Sequence, residues 1–284
     1  MSLVRLSVRR TVGAVTAIVV FILLLGATYQ GVATALERRE FARPGGLVSV
    51  GDHQLHIYCT GKGTPTVVLE APAAGLSAAW ADVQRQLSGR TRVCSYDRAG
   101  LGWSESGDRP FDPALVPVEL RTLLSRANVP GPFVLVGHGL GAAFARLYAA
   151  RPDADALALV LVDPPAGSTG MQPRWIMPAS PWLARTGVLR AGRILSSRAD
   201  GLAGGGALHA FLNRPDHLAR AADELLAWDD LVRQTSGLQP ASTRTRVTKV
   251  DLRPGDRIVF LTNAAAVDTV VKAIEGAMRP TPKS

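Results

Sequence analysis

Residues 132–141 read PFVLVGHGLG, an apolar run entering a glycine turn, and AAFARLYAA (142–150) continues as a helix. A strand followed by G-x-S-x-G at the start of a helix forms a nucleophile elbow. This strained turn exposes a serine hydroxyl at the top of a sheet for acyl transfer. Gly137 and Gly141 fill the outer glycine positions and His138 the first variable one, while Gly139 stands where the serine belongs. Glycine has no side chain to attack with, and it tolerates positive φ at little steric cost. The turn can therefore persist without its chemistry.

The elbow needs flanking strands to hold it. PFVLVG and ALALVLVD (156–163) are nearly continuous apolar runs, the mark of parallel strands covered on both faces. TPTVVLEA (64–71) and RTRVCSYD (90–97) read as further strands, and LVSV and QLHIYC flank GDH as a hairpin. Helices are expected over LSAAWADVQRQLSG (76–89), over PALVPVELRTLLSRANV (113–129) and over AAAVDTVVKAIEGAM (264–278). The alternation gives an α/β doubly wound sheet. From Pro164 to about residue 240, Pro, Gly and Trp punctuate short amphipathic helices, an inserted helical lid. DRIVFLT (256–262) then reads as a return to the core sheet.

The N-terminus sets the environment. Residues 11–28, TVGAVTAIVVFILLLGAT, carry no charge and follow Arg5, Arg9 and Arg10. As a helix they rise about 27 Å, enough to cross a bilayer core. Ala33-Thr34-Ala35 offers a competing signal-peptidase site, but the apolar run is long for a signal peptide, which favours an uncleaved anchor. The short basic tail favours a single span with its N-terminus cytoplasmic and its domain extracytoplasmic. The organisation is then a tail (1–10), an anchor (11–35), a linker (36–46) and a domain (47–284) with the lid at about 164–240. Net charge is +9, yet the arginines are scattered and the lysines are only 62, 249, 272 and 283. Without a basic run or interleaved aromatics, this charge suits a membrane surface and not nucleic acid. No metal-ligand cluster, dinucleotide fingerprint or phosphate loop is present, so no cofactor is expected. Cys59 and Cys94 end two predicted strands, as buried thiols or, in an oxidising compartment, as a disulfide.

VVLEA (67–71), YDRAGLGWS (96–104), LVGHGLG (135–141) and LVLVDP (159–164) together resemble the α/β-hydrolase superfamily, in its membrane-anchored bacterial branch. The resemblance implies a mostly parallel sheet in strand order 1-2-4-3-5-6-7-8, flanked by helices and capped by a lid. It places Cys59 and Cys94 on neighbouring strands. It assigns the nucleophile to position 139 and the oxyanion donors to the backbone N–H groups of Ala73 and Leu140. Pro72 and Ala74 stand where glycines are usual, which stiffens that loop. The acid falls to Asp163, for which a turn role competes. The base should follow the last strand, but the five histidines are His53, His56, His138, His209 and His217, and none lies beyond. The first two belong to the hairpin and the last two are expected on the lid surface. DRIVFLT runs almost directly into the last helix, so the family's final strand and its histidine are missing from the pattern. These losses point to a catalytically inactive, membrane-anchored hydrolase-fold protein that keeps a site for a small apolar ligand or lipid under the lid. The alternative is a residual hydrolase that acts on small ester or lipid-like substrates without a serine.

Overall fold

The computed structural model describes residues 2–165, 174–252, 261 and 263–279. Helix α1 (Ser2–Glu40) comes first, followed by the antiparallel hairpin β1 (Gly46–Ser49) and β2 (Gln54–Thr60). Then come β3 (Thr66–Glu70), a 3-10 turn (Ser77–Trp80), α2 (Ala81–Leu87), β4 (Val93–Tyr96) and α3 (Val116–Arg126). The elbow region is β5 (Phe133–His138), α4 (Leu140–Ala149) and β6 (Ala156–Val162). The lid carries α5 (Ser180–Arg185), α6 (Val188–Ala191), α7 (Gly205–Phe211), α8 (Pro215–Leu226) and α9 (Trp228–Thr235). Strand β7 (Arg246–Val250) and helix α10 (Ala264–Met278) complete the domain.

Among the described residues the sheet order is β1-β2-β4-β3-β5-β6-β7, antiparallel at β1-β2-β4 and parallel from β4 onward. Alternation along each central strand builds both faces. Val67, Val134, Val136, Val160 and Val162 pack toward α2 and α10, where Val270 and Ile274 meet them. Val68, Leu135, Leu159 and Leu161 point the other way, toward Leu123 of α3 and Tyr148 of α4. This two-sided burial explains why the strands read as apolar runs. Pro117 sits in the first turn of α3, where its missing N–H costs no hydrogen bond. The Asn263 side chain caps α10 by accepting the Ala265 N–H at 2.8 Å.

Two elements extend the expectations from sequence. Helix α1 continues to Glu40, so residues 36–40 of the expected linker are helical. The carboxylate of Glu37 pairs with Arg190 of the lid, which holds that last turn in place. The strand beside β6 is RVTKV (246–250), which the sequence reading did not single out. Among the described residues it is the outermost strand, its exposure alternates, and Arg246 and Lys249 place charge along it. Of DRIVFLT, only Leu261 lies among the described residues. Finally, α1 is long and apolar enough to cross a membrane, with a mean hydropathy of 2.4 in a fully unburied window.

Candidate functional site

Gly139 lies at the junction of β5 and α4 with φ 53° and ψ −123°, a conformation open chiefly to glycine. Its N–H donates to the carbonyl of Val162 at 2.9 Å and its own carbonyl accepts from Ala142 N–H at 3.0 Å. Close approach explains the flanking glycines. A Cβ on Gly137 would stand 2.4 Å from the Gly141 carbonyl oxygen, and one on Gly141 would stand 2.5 Å from those of Glu70 and Ala71. At Gly139 a Cβ would meet only Pro72 Cβ, at 3.7 Å. Position 139 therefore has room for a side chain that glycine does not supply.

Opposite the elbow, the loop after β3 carries Pro72, Ala73 and Ala74. Ala73 and Leu140, the candidate oxyanion donors, are both buried. Ala74 adopts φ 57°, a conformation that favours glycine, so the loop keeps its turn with a strained alanine. The Arg98 guanidinium holds this loop from below. It donates to the carbonyls of Ala71 at 2.8 Å and Pro72 at 2.9 Å. It also pairs with Glu70 at 2.6 Å and, through Nε and Nη2, with Glu224 of α8 at 2.6 and 2.9 Å. Tyr96 donates its hydroxyl to Glu70. All these groups are buried. Desolvation pushes the Glu70 carboxyl up despite the pull of Arg98. One guanidinium thus joins β3, the loop and the lid.

Every histidine in the chain is described, and each is engaged. His217 is 2% exposed, which corrects its expected place on the lid surface. Its Nε2 meets the Ala74 carbonyl at 2.9 Å and its Nδ1 accepts the Gly102 N–H at 3.1 Å. Both ring nitrogens are thereby used to dock α8 on two loops. His209 is half-buried and meets Asp200 at 2.8 Å. His53 pairs with Asp52 at 2.8 Å. His56 lies within reach of Asp97 and Ser77, at 2.9 and 3.3 Å, a serine–histidine–aspartate set buried beneath the loop after β4. This cluster is not a catalytic relay. Both partners meet the same Nδ1, whereas a relay uses opposite nitrogens, and Nε2 faces the Pro44 carbonyl.

His138 turns into the core and meets Trp80 edge-on at 6.2 Å. Burial holds its pKa down at about 4. An exposed imidazole titrates near 6.5, so below that pH the unfolded chain binds a proton that the folded chain refuses. Folding stability should be full above pH 6.5 and fall by about 3 kcal/mol on reaching pH 4. His138→Phe should flatten that part of the profile. Urea midpoints of the detergent-solubilised chain across this range test it, and equal slopes in both proteins refute it.

Asp163 follows β6 with φ 42°. Its N–H donates to Val250 at 2.8 Å and its Oδ1 accepts from Leu252 N–H at 3.0 Å, so it joins the ends of β6 and β7. Cys59 and Cys94 sit opposite one another in the β2–β4 register and form a disulfide. Among the described residues, no group of three or more His, Cys, Asp or Glu is arranged to hold a metal.

The model of the α/β-hydrolase family matches residues 67–280, and the chain belongs to this family. An uncharacterized protein of Schizosaccharomyces pombe is 42% identical over 87 residues, 31% of this chain and 16% of its own length. An uncharacterized vacuolar membrane protein of Saccharomyces cerevisiae is 34% identical over 117 residues, 35% of this chain and 18% of that protein. The chain thus spans less than a fifth of these yeast relatives. The Cif epoxide hydrolase of Acinetobacter nosocomialis shares the fold, with a TM-score of 0.65 at 13% identity over 89% of this chain and 97% of that one.

Proposed function

We propose that this protein is a membrane-anchored member of the α/β-hydrolase family that does not hydrolyse esters by the serine mechanism. It uses the retained scaffold to hold a small apolar ligand or lipid under the lid. The observation that carries this reading is Gly139, in nucleophile-elbow geometry with no side chain. The five histidines support it, since each is committed to a structural contact away from position 139. Asp163 acts as a turn residue in the same reading. Helix α1 spans the membrane once and the domain is extracytoplasmic, a placement supported by the basic tail and by a disulfide that needs an oxidising compartment.

Gly139→Ser tests the reading directly. A Cβ at position 139 is accommodated, but among the described residues every histidine is engaged elsewhere, so none is placed to activate a serine there. The full-length variant in detergent is expected to fold, to resist a fluorophosphonate probe and to hydrolyse short- and medium-chain esters no faster than the protein-free blank. Covalent labelling of the wild-type chain, or burst acylation of the variant, overturns the proposal.

A further inference from the structure

Helix α1 is fixed against the lid at a definite depth. A Cβ on Gly26 would stand 2.1 Å from the Thr186 carbonyl, so the end of α5 touches the last turn of the uncharged run 11–28. Beyond it, Gln30, 5% exposed, donates to the Asn213 carbonyl at 2.6 Å and accepts from Arg190 Nε at 2.9 Å. Arg190 is in turn neutralised by Glu37. Above this contact runs a groove of about 490 Å³ between anchor and lid, lined by Ala27, Gly31, Ala35 and Arg38 of α1 and by Arg185 and Pro215 of the lid. The rest of its lining is small and mostly apolar, with Gln30 and Thr34 as neutral polar groups, and its two charged residues are both cationic. Among the described residues neither Arg38 nor Arg185 enters an ion pair. Nearby, Arg214 is 7% exposed with its Nε unpaired; burial holds its pKa down, Asp216 and Glu37 oppose that shift, and Arg38 and Arg190 add to it.

The surroundings match a membrane interface. Trp182 and Leu183 of α5 are exposed, Trp182 by 69%, within one turn of the residue that touches Gly26. Tyr29 is half exposed on α1, and Arg185 stacks over the Trp182 ring at 4.6 Å. Amphipathic aromatics gather at the level of lipid headgroups, and arginines beside them snorkel toward phosphate. With the uncharged run 11–28 as the span, the groove lies just beyond its C-terminal end.

We propose that the groove between α1 and the lid binds the headgroup of an anionic phospholipid, with Arg38 and Arg185 on its phosphate and Trp182 and Leu183 in the adjoining acyl layer. This rests on the reading of α1 as a membrane span. The test reconstitutes the full chain in nanodiscs of mixed phosphatidylcholine and phosphatidylglycerol and counts lipids retained on release by native mass spectrometry. Phosphatidylglycerol should be retained in preference to phosphatidylcholine. Arg38→Gln with Arg185→Gln should lose roughly 30-fold of that preference, from the attraction of two arginines to an anionic surface. The matching pair of lysine substitutions should keep most of it, and both variants should melt like the wild type. Equal retention of the two lipids, or retention unchanged in the glutamine variant, overturns the inference while leaving the anchor intact. Release of the chain from vesicles by alkaline carbonate overturns both this inference and the anchor reading beneath it.

Discussion

Replacing Arg98 with methionine is expected to cost about 3–5 kcal/mol of folding stability, the range for removing one partner from a buried ion network. The guanidinium is 3% exposed and makes five hydrogen bonds, two to Glu224, one to Glu70 and two to carbonyls of the loop after β3. Methionine replaces its aliphatic stem but leaves two carboxylates and two carbonyls facing apolar surroundings. Glu70, whose carboxyl burial already pushes up, would take a proton instead of staying charged. The melting temperature of the full chain in detergent should fall by roughly 10 °C. Adding Glu70→Gln and Glu224→Leu to the methionine variant should recover part of the loss, since no unpaired charge is then left buried. A shift below about 1 kcal/mol would show that the network is hydrated and not dry.

The second large effect concerns the disulfide. Cys59 and Cys94 are 35 residues apart in sequence, and the segment between them contains β3 and α2. Closing such a loop removes denatured-state entropy worth about 4 kcal/mol on the chain-entropy model. The position adds to this. Strands β1 and β2 reach the rest of the sheet through β4, so the bridge pins an antiparallel hairpin to the parallel core. Cys59→Ser with Cys94→Ser should therefore lower the melting temperature by about 10 °C, and a reducing agent should lower the wild type equally. A wild type that melts alike with and without reductant refutes the prediction. Amide exchange should show the loss first in β1 and β2, because the other strands retain two parallel neighbours or a helix cover.

The readability of the sequence tracked how local each signal was. Strands β3, β5 and β6 are buried on both faces, so each is an uninterrupted apolar run. The elbow is one contiguous string, which made Gly139 visible without a structure. Strand β7 alternates in exposure, but its apolar Val247 is 45% exposed while Arg246 is partly buried, so its sequence carries neither a buried run nor a matching apolar alternation. The burial of His217 depends on carbonyl and amide groups more than 100 residues away, at Ala74 and Gly102. The Arg98–Glu224 pair likewise joins residues 126 apart. No periodicity within α8 encodes such partners, because they exist only after the lid has closed over the sheet.

Helix α1 is a single element from Ser2 to Glu40, and it docks on the lid before the chain breaks at Pro44 and Gly45. A glycine-rich tether would let the domain tumble over a hemisphere above its anchor. Here the pivot is absent. A shaft about 58 Å long enters the globular part without a joint, so on the proposed reading of α1 as a membrane span its tilt and the posture of the domain are one mechanical coordinate. Bilayer thickness, by setting that tilt, becomes a means of steering which surface the protein offers to its surroundings.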